Sequence, residues 1–132
     1  MAAVSSLSSP YGIGTFGKKA YEFADFLAAA GQKYWQMLPL GPTSYGDSPY
    51  QSFSTYAGNP YYVDLDFLIE DGLLLKEEVL ACDWGEDPNR VDYAKVYENR
   101  FPILEKAKKR GWERDRAAVM RFEEENGSWL PD

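Results

Sequence analysis

Residues 33–60 read KYWQMLPLGPTSYGDSPYQSFSTYAGNP, and the way this stretch divides decides how the chain folds. Its opening run KYWQML, residues 33–38, is short, aromatic and apolar, and Pro39 stops it; this predicts a buried strand. After it, Pro42, Pro49 and Pro60 together with Gly41, Gly46 and Gly58 forbid a regular element through most of 39–60. A loop of that length inside a compact domain is uncommon without a functional reason. It carries Tyr45, Tyr50, Phe53 and Tyr56, aromatic rings that are costly to leave in water, so the sequence predicts a packed, ordered loop and not a linker.

On the amino-terminal side, residues 17–30 (GKKAYEFADFLAAA) predict an amphipathic helix. Ala20, Phe23, Phe26, Leu27 and Ala30 recur at helical spacing, and Gly31 closes the element. Residues 1–15, punctuated by Pro10, Gly12 and Gly14, read as an irregular loop. On the carboxyl side, YYVDL (61–65) predicts a short extended segment. Asp66 is then placed to cap a short helix running to Asp71, with Gly72 ending it, and residues 76–81 predict another. After a loop at 83–90, the chain reads as charged helix from Val91 to about Arg110, broken or kinked at Pro102, and as a further helix over 113–125 that stops near Asn126 and Gly127. The order loop, helix, strand, long loop, helix is that of one or two βα units, an α/β arrangement in which chemistry sits on loops at the carboxyl ends of strands. The loop after Leu38 holds that position.

Composition narrows the partners. The chain has 132 residues, enough for one domain, and a net charge of −7. That balance argues against nucleic acid and against an anionic membrane surface, and is indifferent to a neutral ligand such as a sugar. The aromatic share of 16% rests largely on ten tyrosines, whose flat apolar faces and polar tips suit wet binding surfaces. No histidine is present, which removes serine or cysteine triads and histidine-ligated metals together. Cys82 is the lone cysteine, and no run resembles a signal peptide or a membrane span; a cytoplasmic location is the expectation.

The segment YWQMLPLGPTSYGDSPYQSFSTYAGNPYYVDL (34–65), with SLSSPYGIGTFGKKAYEFADFLAAAGQ upstream, closely resembles the amylomaltase family of 4-alpha-glucanotransferases, glycoside hydrolase family 77. The resemblance is dense over the first half of the chain and looser over the charged helices. It departs at the start, where MAAV is too short for the family's first strand and Ser8 stands where proline is usual. It implies the amino-terminal part of a (β/α)8 TIM barrel with the start of a helical insertion: first βα units over 1–82, and a helical insertion or subdomain segment over 83–132. It also implies a retaining transfer of α-1,4-glucan segments to a sugar hydroxyl, with no metal or other cofactor. The catalytic carboxylates are expected beyond residue 132, so no catalytic residue is assigned within the chain. The remainder of the barrel is expected in the same parent chain, and the implied partners are α-1,4-glucans and maltooligosaccharides.

Carried onto this sequence, Tyr50 matches the family tyrosine that lines the donor subsite beside the scissile bond. Pro49 restricts the backbone before it. Ser48, Asp47 and Gln51 are short polar groups in the same turn that can hydrogen-bond sugar hydroxyls. Tyr45 resembles a tyrosine that stacks on glucan at a second site. Each has a bland alternative: Tyr50 and Tyr45 as packed tyrosines, Asp47 as an Asx-turn residue. Asn59 reads as a turn-shaping residue, Trp35 as core, and Cys82 as a small buried hydrophobe. Asp64 and Asp66, two apart in an extended segment, form a carboxylate pair on paper, but a capping role for Asp66 is simpler. The competing readings of the whole are an enzyme fragment inactive alone, a non-catalytic glucan-binding module, and a partner-binding piece.

Overall fold

A computed structural model describes residues 1–44 and 46–130. Its described residues form four α-helices: α1 (Lys18–Ala29), α2 (Leu65–Glu70), α3 (Lys76–Leu80) and α4 (Tyr93–Glu125). Short 3-10 turns occupy Val4–Ser6 and Pro60–Tyr62.

The helix boundaries follow local chemistry. Gly31 and Gly72 take φ of +74° and +72°, left-handed values that end α1 and α2 as the sequence predicts. The cap of α2 is Asp64 and not Asp66: the Asp64 carboxylate accepts the Phe67 N–H at 3.0 Å. Asp66 lies two residues after the cap, inside the first turn, and accepts a hydrogen bond from the Tyr11 hydroxyl at 2.7 Å. The α3 helix begins with the Glu78 carboxylate accepting the Leu75 N–H at 3.1 Å.

Two predicted features are overturned. KYWQML forms no strand: among the described residues the β-pairing is one isolated antiparallel bridge, Thr43 with Ser52. A strand needs a paired neighbour, and the backbone of residues 33–38 meets the start of the chain by a single bond. There the Ala2 N–H donates to the Gln36 carbonyl at 3.1 Å, and the Trp35 indole N–H donates to the Ala2 carbonyl at 2.8 Å. Tyr34 is 90% exposed and Trp35 half-buried, its ring edge-on to Phe23 at 4.8 Å, so the segment is not core. Residues 61–65 are extended only at Val63 and Asp64; Tyr61 and Tyr62 belong to the 3-10 turn, and Leu65 opens α2.

The predicted division into two helices also gives way, to one continuous 33-residue helix of about 50 Å that runs through Pro102. Pro102 removes one backbone bond, but Arg100 and Ile103 on either side are buried and hold the turn in place. Gly111 is tolerated within the helix because its bare backbone lies against Leu73; a Cβ there would come to 3.3 Å from the leucine. The buried stripe of α4 runs Val96, Arg100, Ile103, Ala107, Gly111, and nothing beyond Gly111 is buried. No described helix, α4 included, is long and apolar enough to cross a membrane.

The core therefore lies along the first half of α4. One cluster joins Tyr11, Leu65, Leu74 and Val79 to Ile103 and Ala107, and a second joins Ile13 and Tyr61 to Val96. Each fully buried leucine or valine contributes about 1.5–3 kcal/mol. Of the predicted apolar face of α1 only Ala20 is buried, and Phe26 is exposed.

Candidate functional site

The loop from Pro39 to Pro60 is pinned at its base and open at its tip. Its ends meet where the Asn59 N–H donates to the Leu40 carbonyl at 2.9 Å. The Asn59 side chain accepts the Tyr61 N–H at 2.9 Å, the turn-shaping role read from sequence. Midway, the Ser44 N–H donates to the Gln51 carbonyl at 3.2 Å beside the Thr43–Ser52 bridge. At the tip the Gln51 N–H donates to the Ser48 carbonyl at 3.0 Å, a β-turn with Pro49 and Tyr50 at its centre. Proline presets φ for the second residue of such a turn, so Pro49 directs Tyr50 outward.

The burial expectation for this loop is reversed. Tyr50, Phe53 and Tyr56 are 74%, 75% and 71% exposed. The turn bonds and the two-residue bridge satisfy the backbone without enclosing the rings. Tyr56 rests at 5.7 Å from the Trp129 ring, its aromatic contact beyond the loop.

The structure brings four predicted site residues together on this turn: Asp47 and Ser48 half-buried, Tyr50 and Gln51 exposed. Tyr45 lies outside the described residues. Asp47 follows Gly46 with φ of +53°, a left-handed backbone that aspartate tolerates better than most side chains. Its carboxylate accepts a long hydrogen bond from the Thr43 hydroxyl at 3.4 Å, within the loop, and does not form an Asx turn with a following N–H. That carboxylate also faces Tyr61 and Tyr93: burial pushes the Tyr61 phenol up to about 12 and raises Tyr93, and the Asp47 charge adds to both shifts. The tip is thus a surface of one aromatic face, one carboxylate, one hydroxyl and one amide, a set suited to hydrogen-bonding and stacking on a neutral polyol.

Asp64 and Asp66 do not act as a carboxylate pair. Asp64 caps α2 and accepts the Thr15 hydroxyl at 2.5 Å, while Asp66 holds Tyr11. A cavity of about 1040 Å³ opens elsewhere, between residues 5–10 and 84–91, and none of the predicted sugar-contacting residues lines it.

One residue beside the loop escapes sequence reasoning. Arg100 on α4 is fully buried, and its Nη2 donates to the Val63 carbonyl at 2.5 Å, just past the loop exit. Its Nε and Nη1 have no hydrogen-bond partner among the described residues. Burial pushes the guanidinium down to about 10, opposed by the Asp64 charge. Burying such a cation costs several kcal/mol, and each orphan donor roughly 1–3 kcal/mol. The signal was present: Arg100 occupies a position in the apolar stripe Val96, Arg100, Ile103, Ala107.

The sequence model of the family described as 4-alpha-glucanotransferase matches residues 2–132. The chain belongs to the 4-alpha-glucanotransferase family. A family member from Streptococcus pneumoniae is 55% identical over 128 residues, which cover 96% of this chain and 25% of that protein. One from Clostridium butyricum is 50% identical over 129 residues, 98% of this chain and 26% of its own. Among solved structures, an amylomaltase from Streptococcus agalactiae in complex with acarbose superimposes with a TM-score of 0.88 at 47% identity, covering 96% of this chain and 26% of that one. The chain thus spans about a quarter of the length of the glucanotransferases it matches.

Proposed function

We propose that this chain is the substrate-contacting amino-terminal portion of a 4-alpha-glucanotransferase, which transfers α-1,4-glucan segments to the 4-hydroxyl of glucose or a maltooligosaccharide. The observation that carries the reading is the turn at 48–51: a loop pinned at Asn59 and Leu40 holds Tyr50 outward, flanked by Ser48, Gln51 and Asp47, in a family member. An exposed tyrosine face stacks on a sugar ring, and the short polar groups around it take the hydroxyls. The acarbose bound by the Streptococcus agalactiae relative supports a glucan-like ligand.

The reaction is a retaining one. A carboxylate attacks the anomeric carbon, a second carboxylic acid protonates the leaving oxygen, and a sugar hydroxyl replaces water in the second step. The reading places neither carboxylate in this chain, and the commitment of Asp64 and Asp66 to a helix cap and to Tyr11 supports it. Both belong to the remainder of a (β/α)8 barrel, of which this chain forms the first part. The setting proposed is cytoplasmic.

Incubating the purified chain with maltotriose tests the assignment of chemistry. The expected result is no redistribution of chain lengths; measurable formation of longer and shorter maltooligosaccharides overturns it. Calorimetry with maltoheptaose separates the fragment from a self-sufficient glucan-binding module, since only the latter gives strong binding.

A further inference from the structure

We propose that Arg100 is a positioning residue that fixes, from the long helix α4, the exit of the 39–60 loop and hence the register in which the loop presents Ser48 and Tyr50. The inference rests on the reading of that loop as the sugar-contacting surface. Arg100 stands where an apolar side chain would pack without any polar cost: between Val96 and Ile103 in the buried stripe, with two of its donors unpaired. A methionine of similar length would fill the same space. What arginine adds is one directed bond, Nη2 to the Val63 carbonyl.

That carbonyl sits at a junction. The Val63 N–H donates to the Pro60 carbonyl at 3.2 Å, and the Tyr62 N–H to the Asn59 carbonyl at 3.0 Å, so the 3-10 turn links Val63 rigidly to Asn59. Asn59 in turn closes the loop on Leu40. Just after Val63, Asp64 joins Thr15 and the start of α2. The carboxylate of Asp64 also fills the space that a Cβ on Gly17 would need, so the junction meets the start of α1 as well. Two further contacts from α4 grip the same turn: the Tyr61 ring lies 6.3 Å from Tyr93 and 5.8 Å from Phe101. Aromatic pairs keep their preferred tilts over centroid separations of roughly 4.5–7 Å, a range broad enough to allow sliding by a fraction of a ring. A hydrogen bond from a buried guanidinium is not, because its geometry weakens steeply off axis. Arg100 therefore sets the register that the rings only stabilise.

Amide hydrogen exchange on the full 132-residue chain tests this, and needs no sugar. In Arg100→Met the amides of Ser44, Gln51, Asn59 and Tyr62 should lose at least tenfold in protection, while Val79 and Ala81 in and after α3 keep theirs. Arg100→Lys, which retains one donor for the Val63 carbonyl, should recover part of the loss. Equal protection in Arg100→Met and wild type overturns the proposal, as does an equal loss in the loop and in α3, which marks a merely structural role. If Arg100→Met does not fold, the wild-type chain decides. Its Asn59 and Tyr62 amides should open together with Val96 and Ile103 under increasing denaturant, and opening at much lower denaturant refutes the coupling. Because loop order is read without ligand, maltoheptaose contacts that spare residues 47–51 count against the proposed function alone and leave the coupling through Arg100 standing.

Discussion

Two irregular segments of this chain look alike in composition and fold oppositely. Residues 4–15 and 39–60 are both rich in serine, glycine, proline and tyrosine. In the first, Tyr11 and Ile13 are 3% and 2% exposed. In the second, Tyr50 stands in water. The difference lies in where each segment sends its hydrogen bonds. The amino-terminal segment bonds within itself, Leu7 to Val4 and Gly14 to Ser5, but also sends side-chain bonds to distant parts of the chain, Tyr11 to Asp66 and Thr15 to Asp64. The 39–60 loop bonds mainly to itself, through Ser44 with Gln51, Ser48 with Gln51, and Leu40 with Asn59. A loop satisfied by remote partners is drawn into the core, whereas one satisfied internally is free to present its side chains.

The largest effect should separate two glycines. A Cβ on Gly14 would collide with the Val4 carbonyl and the Leu7 backbone, neither of which yields easily, whereas one on Gly58 meets open space. Gly14→Ala is expected to cost about 3 kcal/mol, while Gly58→Ala should stay within roughly 0.5 kcal/mol. Urea unfolding of the two variants measures the contrast, and equal midpoints would break the comparison.

Next come the tyrosines. Tyr11→Phe deletes the bond to Asp66 and should cost about 1 kcal/mol, while Tyr50→Phe should leave stability unchanged within roughly 0.5 kcal/mol. Tyr11 has a second signature. Burial, the hydrogen bond to Asp66 and the charges of Asp66 and Asp64 push its phenol up to about 12. In the unfolded chain it ionises near its ordinary value of about 10. The folded state holds the proton more tightly, so this contribution is complete below about pH 10 and is lost as pH rises towards 12. Alkaline denaturation should therefore be less steep in Tyr11→Phe than in wild type, and an identical profile would deny the coupling.

A smaller effect lies at the loop base. Asn59→Ala removes the side-chain acceptor for the Tyr61 N–H and should cost about 1 kcal/mol, read by thermal unfolding. Smallest is a surface pair that belongs to neither loop and serves as a control. Arg110 grips Glu78 with two bonds of 2.7 and 2.8 Å, and with the Leu75 N–H it holds the Glu78 carboxyl down at about 2. The folded value lies below the unfolded one, so this contribution is present above about pH 4.5 and is lost as pH falls towards 2. Glu78→Gln should flatten acid unfolding in that window without changing protection in either loop.

Local signals in the sequence were legible. Gly31 and Gly72 ended helices where expected, Asn59 shaped its turn, and the 39–60 segment carried the family pattern that the comparison bears out. Contacts between distant residues were not. KYWQML has the composition of a buried strand, but pairing is decided by neighbours that a local window does not contain. The choice between Asp64 and Asp66 as cap turned on Thr15 and Tyr11, some fifty positions away. Continuity of α4 through Pro102 depended on burial at Arg100 and Ile103, and on Leu73 meeting Gly111. At the candidate site, motif residues identified Asp47, Ser48, Tyr50 and Gln51 as one group. The charged residue behind them, Arg100, was marked by its place in the apolar stripe of α4, but its partner, the Val63 carbonyl 37 positions away, was not legible.

The central claim is that the outward-held turn at 48–51 is the surface that meets glucan. Titrating the isotopically labelled chain with millimolar maltoheptaose and following its backbone amides tests it most directly. The account predicts weak, saturable shifts concentrated at residues 47–51 and abolished by Tyr50→Ala. Shifts gathered instead around the cavity between residues 5–10 and 84–91, with 47–51 unmoved, would contradict it.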